Sequence, residues 1–250
     1  MSCRTVLPVV VVIASLLAVP AASAEDGTVE EAPGGWKFRA EGSYVRTTGN
    51  TDTQTLGAVV DASREVEGDV NRYYAKGKAL FAESDGDQTA NRWFAEGRYE
   101  RGFTERFFGF LTASYLKDKF SGYEYRFNAG PGLGYELVKT ERHRLKGLLG
   151  VLWSHDEFEQ GGSDSYAMGK ATLDYAWQIR ENLKFKQLVD YQASLQDSDV
   201  FFLKSETALE VKINTFLSLG VGYIVSYQNE PPADADETDT AFLTSLIVDF

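Results

Sequence analysis

Residues 123–137 read YEYRFNAGPGLGYEL, and the fold turns on how this stretch alternates. Its odd positions are Tyr123, Tyr125, Phe127, Ala129, Pro131, Leu133, Tyr135 and Leu137. Its even positions are Glu124, Arg126, Asn128, Gly130, Gly132, Gly134 and Glu136. Successive side chains of a strand point to opposite faces, so one face is apolar and the other is polar or glycine. A helix would mix the two sets around its circumference.

The same period recurs on both sides of this stretch. Leu145, Gly147, Leu149, Val151 and Trp153 alternate with Lys146, Leu148, Gly150 and Leu152. Ala167 to Ile179 and Leu217 to Tyr227 behave alike. The pattern predicts twelve strands, near 36–46, 54–64, 72–83, 92–102, 106–117, 123–137, 144–155, 165–179, 183–194, 200–213, 216–227 and 240–250. Most run to about ten residues or more, the length that crosses a bilayer, whereas strands of soluble proteins average about 5–6. The apolar face carries charge only at strand ends (Arg46, Lys117), and its most polar central residue is Gln187. A charge at mid-bilayer on that face costs about 2–4 kcal/mol, so a clean face is what lipid demands. Tyr44, Tyr73, Trp93, Tyr115, Tyr123, Trp153, Trp177, Tyr223 and Tyr227 fall at or near strand ends, where interfacial girdles form. The expected fold is all-β: a single antiparallel, up-and-down transmembrane β-barrel over residues 36–250, its outer face in contact with outer-membrane lipid.

The start of the chain agrees with export. Arg4 precedes an apolar run from Val6 to Val19, and Ala22-Ser23-Ala24 supplies small residues for signal-peptidase cleavage before Glu25. The run is shorter than the roughly 20 residues of a spanning helix and contains Pro8. Residues 1–24 are therefore expected to be a signal peptide and 25–35 a flexible acidic segment. The one cysteine, Cys3, lies in the leader, so the mature chain has no thiol for a disulfide, a nucleophile or a thiolate metal site. A net charge of -12 argues against a nucleic-acid partner.

Connections are expected to alternate in length. Phe103 to Glu105, Arg180 to Asn182 and Asn214-Thr215 are short and follow even-numbered strands. Ser84 to Asn91, Asp156 to Asp164 and Gln228 to Asp239 are longer. Short turns face the periplasm in such barrels, which puts both termini there and the acidic loops outside a Gram-negative cell. Phe250 ends a strand with Phe242, Thr244, Leu246 and Val248 at alternate positions. This is similar to the C-terminal signal read by the outer-membrane assembly machinery, and closure of the barrel onto the first strand would leave no edge exposed.

The inward face mixes both signs of charge. Lys76, Lys78, Glu96, Arg98, Glu124, Arg126, Lys146, Lys170, Asp174, Lys186, Asp190, Lys204 and Glu206 are the candidate lumen charges, joined by Lys37, Arg39, Glu41, Asp61, Glu100, Glu136, Lys184, Glu210 and Lys212. They suit either a charge-lined pore or a wall of mutually paired charges; mixed signs favour the second. His143 and His155 belong to opposite ends of one strand and cannot share a metal or a proton relay. His155 has Trp153 and Glu157 beside it on its own face, while Ser154 points the other way, so no catalytic pair is expected, and no cofactor. Asp234, Asp236, Glu237 and Asp239 read as a solvated acidic loop rather than a cation site.

Thr47-Thr48-Gly49-Asn50-Thr51-Asp52-Thr53, followed by Thr55 and Leu56, resembles the YdiY-like salt-induced outer-membrane proteins. Arg72-Tyr73-Tyr74, Asn91-Arg92-Trp93 and the Gly130-Pro131-Gly132-Leu133-Gly134-Tyr135 run extend the likeness over nearly the whole mature chain. The resemblance implies one outer-membrane barrel of unassigned substrate, linked by name to salt response, with no catalytic residues to transfer. Three functions stay in play: envelope permeability or integrity under osmotic stress, a diffusion channel for small hydrophilic solutes and, disfavoured, an outer-membrane hydrolase.

Overall fold

An amphipathic strand satisfies its backbone only by pairing on both edges, and inside a membrane no edge can stay open. The structure, a computed structural model, meets this by closing. It describes residues 35–47, 53–65, 70–119, 121–229, 231 and 237–250. The expected leader, the 25–35 segment except Gly35, and Asp234 and Asp236 lie outside them. The first six strands are β1 (Trp36–Thr47), β2 (Thr53–Glu65), β3 (Asn71–Ser84), β4 (Asp87–Gly102), β5 (Phe107–Asp118) and β6 (Tyr123–Lys139). The last six are β7 (His143–Phe158), β8 (Ser163–Arg180), β9 (Leu183–Ser194), β10 (Phe201–Lys212), β11 (Leu217–Gln228) and β12 (Thr238–Asp249). Each pairs antiparallel with its sequence neighbours, and β1 pairs with β12 to complete a closed barrel of twelve strands.

The seam is sealed by the last residue. Phe38 N–H donates to Phe250 O at 2.7 Å and Phe250 N–H to Phe38 O at 2.9 Å, and the two rings stack 6.3 Å apart. Around the ring, the alternation read from the sequence becomes an inside and an outside. On β7, Leu148 is 4% exposed and the next residue, Leu149, 67%. Val151 is 54% exposed and Leu152 3%. Trp93, Tyr115, Trp153, Trp177 and Tyr223 stand outward among the exposed apolar residues, as a lipid-facing surface requires. Gln187, the polar exception on that face, spends its polarity on its neighbours. Its Nε2 donates to Ser205 Oγ at 2.9 Å, and Thr207 Oγ1 donates to its Oε1 at 2.6 Å.

Two expectations are corrected. Ser84 to Asn91 is not a long loop: β3 runs to Ser84, β4 starts at Asp87, and Asp85 (φ 52) with Gly86 (φ 88) makes a two-residue hairpin turn. Asp-Gly is the pair that tolerates two successive positive φ values, so the signal was in the sequence. Likewise β7 and β8 extend to Phe158 and from Ser163, leaving a short connection where residues 156–164 suggested a long one. The second correction is Tyr123. The strict period puts it outside with Tyr125, but a β-bulge between the two shifts the register, and Tyr123 turns inward to 8% exposure.

Candidate functional site in the barrel lumen

Inward side chains from facing walls meet in the lumen at three levels. Midway along the barrel, Lys78 of β3 reaches Glu206 of β10 at 2.7 Å, although these strands lie nearly opposite in the ring. Glu206 is also held by Lys204 at 2.7 Å, and Lys76 pairs with Asp61 at 3.3 Å. Glu96 stands opposite Lys76 in register on the neighbouring strand. Lys204 Nζ lies 5.8 Å from the Phe94 ring centre.

Toward the end that carries the termini, Arg72 lies 3.2 Å from Glu100 and 3.4 Å from Glu136, two carboxylates from different strands that are both fully buried. Arg98 approaches Glu100 at 3.1 Å, and Tyr74 OH donates to Glu65. Lys146, opposite both Glu136 and Asp174 in register, places its ammonium 5.7 Å from the Tyr74 ring and 5.9 Å from the Phe108 ring. On the wall of β1, β9 and β10 Glu210 is shared by Arg39 at 2.5 Å and Lys186 at 2.7 Å, while Lys170 pairs with Asp190 at 2.6 Å at the middle level, where Asp190 stands opposite Lys204.

At the far end, Arg126 holds Asp156 through two hydrogen bonds of 2.7 and 3.0 Å, and Tyr166 OH donates to the same carboxylate at 2.9 Å. The Arg126 guanidinium lies over the Tyr123 ring at 4.2 Å and over the ring of Phe202, from a distant strand, at 4.0 Å. Gln228 Nε2 donates across the mouth to Tyr123 OH at 2.9 Å. Glu124, expected in the lumen, falls in the bulge beside Tyr123 and is exposed. Desolvated charges repay their burial only when paired and hydrogen-bonded, which is how Arg126 and Asp156 are held.

The sequence reading missed the apolar half of this interior. Phe108, Phe110 and Leu148 form one buried cluster. Leu152, Tyr166 and Met168 form a second, with Val200 and Phe202 against it. The signal lay in the glycines of β6. Gly134 is opposite Phe108 in register and Gly132 opposite Phe110, and each ring lies where a β-carbon would otherwise stand. A methyl group on Gly132 would come 2.1 Å from Phe110 Cζ and 2.5 Å from Leu149 O. These glycines are vacancies filled from the neighbouring strand, not openings in the wall.

The histidines lie at opposite ends of β7. His143 Nδ1 shares a hydrogen bond with Tyr175 OH at 2.8 Å, and His155 Nδ1 with Ser165 Oγ at 2.8 Å. Ser165 was overlooked because it faces His155 from the next strand. Glu157 Oε2 lies 3.8 Å from His155 Nε2, beyond hydrogen-bond distance. Among the described residues there is no cluster of His, Cys, Asp and Glu able to hold a metal ion.

Comparison with known proteins follows from this geometry. The profile of the family described as "Protein of unknown function, DUF481" matches residues 40–250. The chain belongs to the DUF481 family. A relative, "Uncharacterized protein YdiY" of Escherichia coli (strain K12), is 30% identical, with 97% of each chain covered. Among solved structures, the NanC porin superposes with a TM-score of 0.51 at 10% identity, covering 85% of this chain and 97% of that one. The translocator domain of the autotransporter NalP from Neisseria meningitidis gives 0.48 at 10% identity, covering 88% and 90%. At such identities the likeness is one of fold: this DUF481 chain has the closed barrel of outer-membrane proteins. The resemblance to YdiY-like proteins seen in the sequence is thereby a family relationship across the barrel.

Proposed function

We propose that this DUF481 barrel is a non-enzymatic component of the Gram-negative outer membrane, inserted with both termini in the periplasm. In this reading it contributes to envelope permeability or integrity under osmotic stress. One observation carries it: the Lys78–Glu206 ion pair, 2.7 Å long, ties nearly opposite walls together at mid-lumen. The candidate lumen charges act as an internal brace, with Arg126–Asp156 and Arg72–Glu100–Glu136 bracing the two ends. Residues 1–24 serve as the leader, and Phe250 is the feature read by the assembly machinery.

A second reading, a diffusion channel for small hydrophilic solutes, is favoured by the partial solvation of Lys76, Lys186 and Lys204 in the same lumen. The porin with which this chain shares its fold makes that reading concrete. Conductance in planar bilayers separates the two. A braced barrel passes no steady current until the tie is cut, for instance by Lys78→Ala with Glu206→Ala. Stepwise, porin-like conductance of the wild-type protein would replace the first reading by the second. Growth of a deletion strain under hyperosmotic shift tests the envelope role directly, and growth equal to the parent's would remove it.

A further inference from the structure

The far end of the barrel carries a cavity of about 400 Å³ that shares Asp156 with the Arg126–Asp156 pair and is otherwise lined by residues the proposed function does not use. Its size falls in the range of about 300–1,000 Å³ usual for small-molecule sites. It lies between the tip of β7 and β8 and the connection from β9 to β10, with the rings of Tyr123, Phe158 and Tyr166 among its walls. Asp156, Asp164, Asp197 and Gln196 add polar groups, and no lysine or arginine lines it.

The state of each group narrows the ligand. Asp156 is already neutralised by Arg126. Asp164 stands directly opposite Asp156 in register, a like-charge placement that disfavours the pair. Its Oδ1 accepts from Ser165 N–H at 2.8 Å, and Asp197 Oδ1 accepts from Asp199 N–H at 3.0 Å, which leaves each carboxylate a second oxygen. Gln196 Oε1 accepts from Ala167 N–H at 3.0 Å, leaving its amide NH₂ to donate. The pocket therefore offers two carboxylates to a cation, amide hydrogens to a hydroxyl, and ring surface to a compact hydrocarbon frame. It repels anions.

We propose that this mouth pocket binds a small protonated amino sugar, with the ammonium between Asp164 and Asp197, hydroxyls on Gln196, and the sugar ring against Phe158 and Tyr166. The inference is independent of whether the lumen conducts.

Binding of glucosamine, glucose, glucuronate and ethanolamine to the refolded, full-length mature barrel in micelles, followed by calorimetry, tests it. Glucosamine should bind roughly fivefold more tightly than glucose, the worth of one partly exposed ion pair. Glucuronate should not bind, and ethanolamine, lacking the ring, should bind more weakly than glucosamine. In the Asp164→Asn, Asp197→Asn double variant each side chain keeps an Oδ1 to accept from Ser165 or Asp199 N–H, so the barrel should still fold, which its band shift on heating checks. It should hold glucosamine and glucose equally. The proposal falls if the double variant keeps the preference, if glucuronate or ethanolamine matches glucosamine, or if none of the four binds.

Discussion

The contact between Phe108 and Gly134 gives the most discriminating test of the interior. A methyl group added at Gly134 would lie 2.2 Å from Phe108 Cζ, 2.3 Å from Cε2 and 2.9 Å from Cε1, so its three nearest neighbours all belong to one ring. Gly134→Ala alone must push that ring against Leu148 and the Arg72 guanidinium, which sits 4.6 Å from the ring centre. Overpacking of this kind costs about 1–3 kcal/mol. Phe108→Ala alone empties a site that is 1% exposed and should cost about 3–5 kcal/mol. In the double variant the clash has no partner and the new methyl fills part of the void. Its cost should thus match Phe108→Ala alone, and fall short of the sum by about 1–3 kcal/mol. Urea titrations of the folding equilibrium in lipid vesicles, read by tryptophan fluorescence, measure all four corners of the cycle. Additivity within about 0.5 kcal/mol would mean that the ring does not cover Gly134, and the description of a side-chain-filled lumen would fail with it.

Val151 lies near the middle of β7 on the outer face, so Val151→Arg should cost about 2–4 kcal/mol in the same titration; Lys146→Gln, inside the barrel, should still fold. A harmless Val151→Arg would invert the assigned faces. Deleting Phe250 removes both backbone hydrogen bonds to Phe38, worth about 1–3 kcal/mol together. Processed protein should then collect in the periplasm, and a normal heat-modifiable barrel in the outer membrane would argue against the C-terminal signal. An epitope between Pro232 and Asp236, outside the described residues, should be reached by antibody on intact cells; labelling only after permeabilisation would reverse the orientation.

The fold was legible because one physical constraint writes itself along the whole chain. Lipid on one side and a filled lumen on the other impose a period of two, and the twelve segments read from that period are the twelve strands observed. The failures come where a local rule meets a non-local partner. Tyr123 reverses because one bulged residue turns the count, and alternation alone does not locate a bulge. Asp87, Gln88, Thr89 and Asn91 put polar side chains on both faces, so this stretch reads as a loop although Asp85-Gly86 marks a hairpin. The charges could be assigned to the inside, but not matched: Lys78 and Glu206 are 128 residues apart, and only the closed ring brings them together. The apolar plugs were hidden by treating the inner face as the polar one, although Phe108, Phe110, Leu148 and Leu152 occupy inner positions.

The two halves of the lumen are filled by different physics, and that difference locates the weakest point of the internal brace. On the β5, β6 and β7 side, Phe108 and Phe110 are keyed into glycine vacancies and buried with Leu148; removing any one leaves a cavity costing several kcal/mol. Across the lumen from β3 to β10, Lys78 and Glu206 keep 22% and 23% of their side-chain surface exposed, and Glu206 is shared with a second lysine. Water already reaches this pair and can replace each partner at little net cost, as at other solvated ion pairs worth about 0–1 kcal/mol. Mobile ions screen it further, whereas they leave a packed aromatic cluster untouched. The brace therefore depends on ionic strength where Lys78 meets Glu206 across the lumen and on shape against β5 to β7, and the Lys78–Glu206 tie is its weakest point.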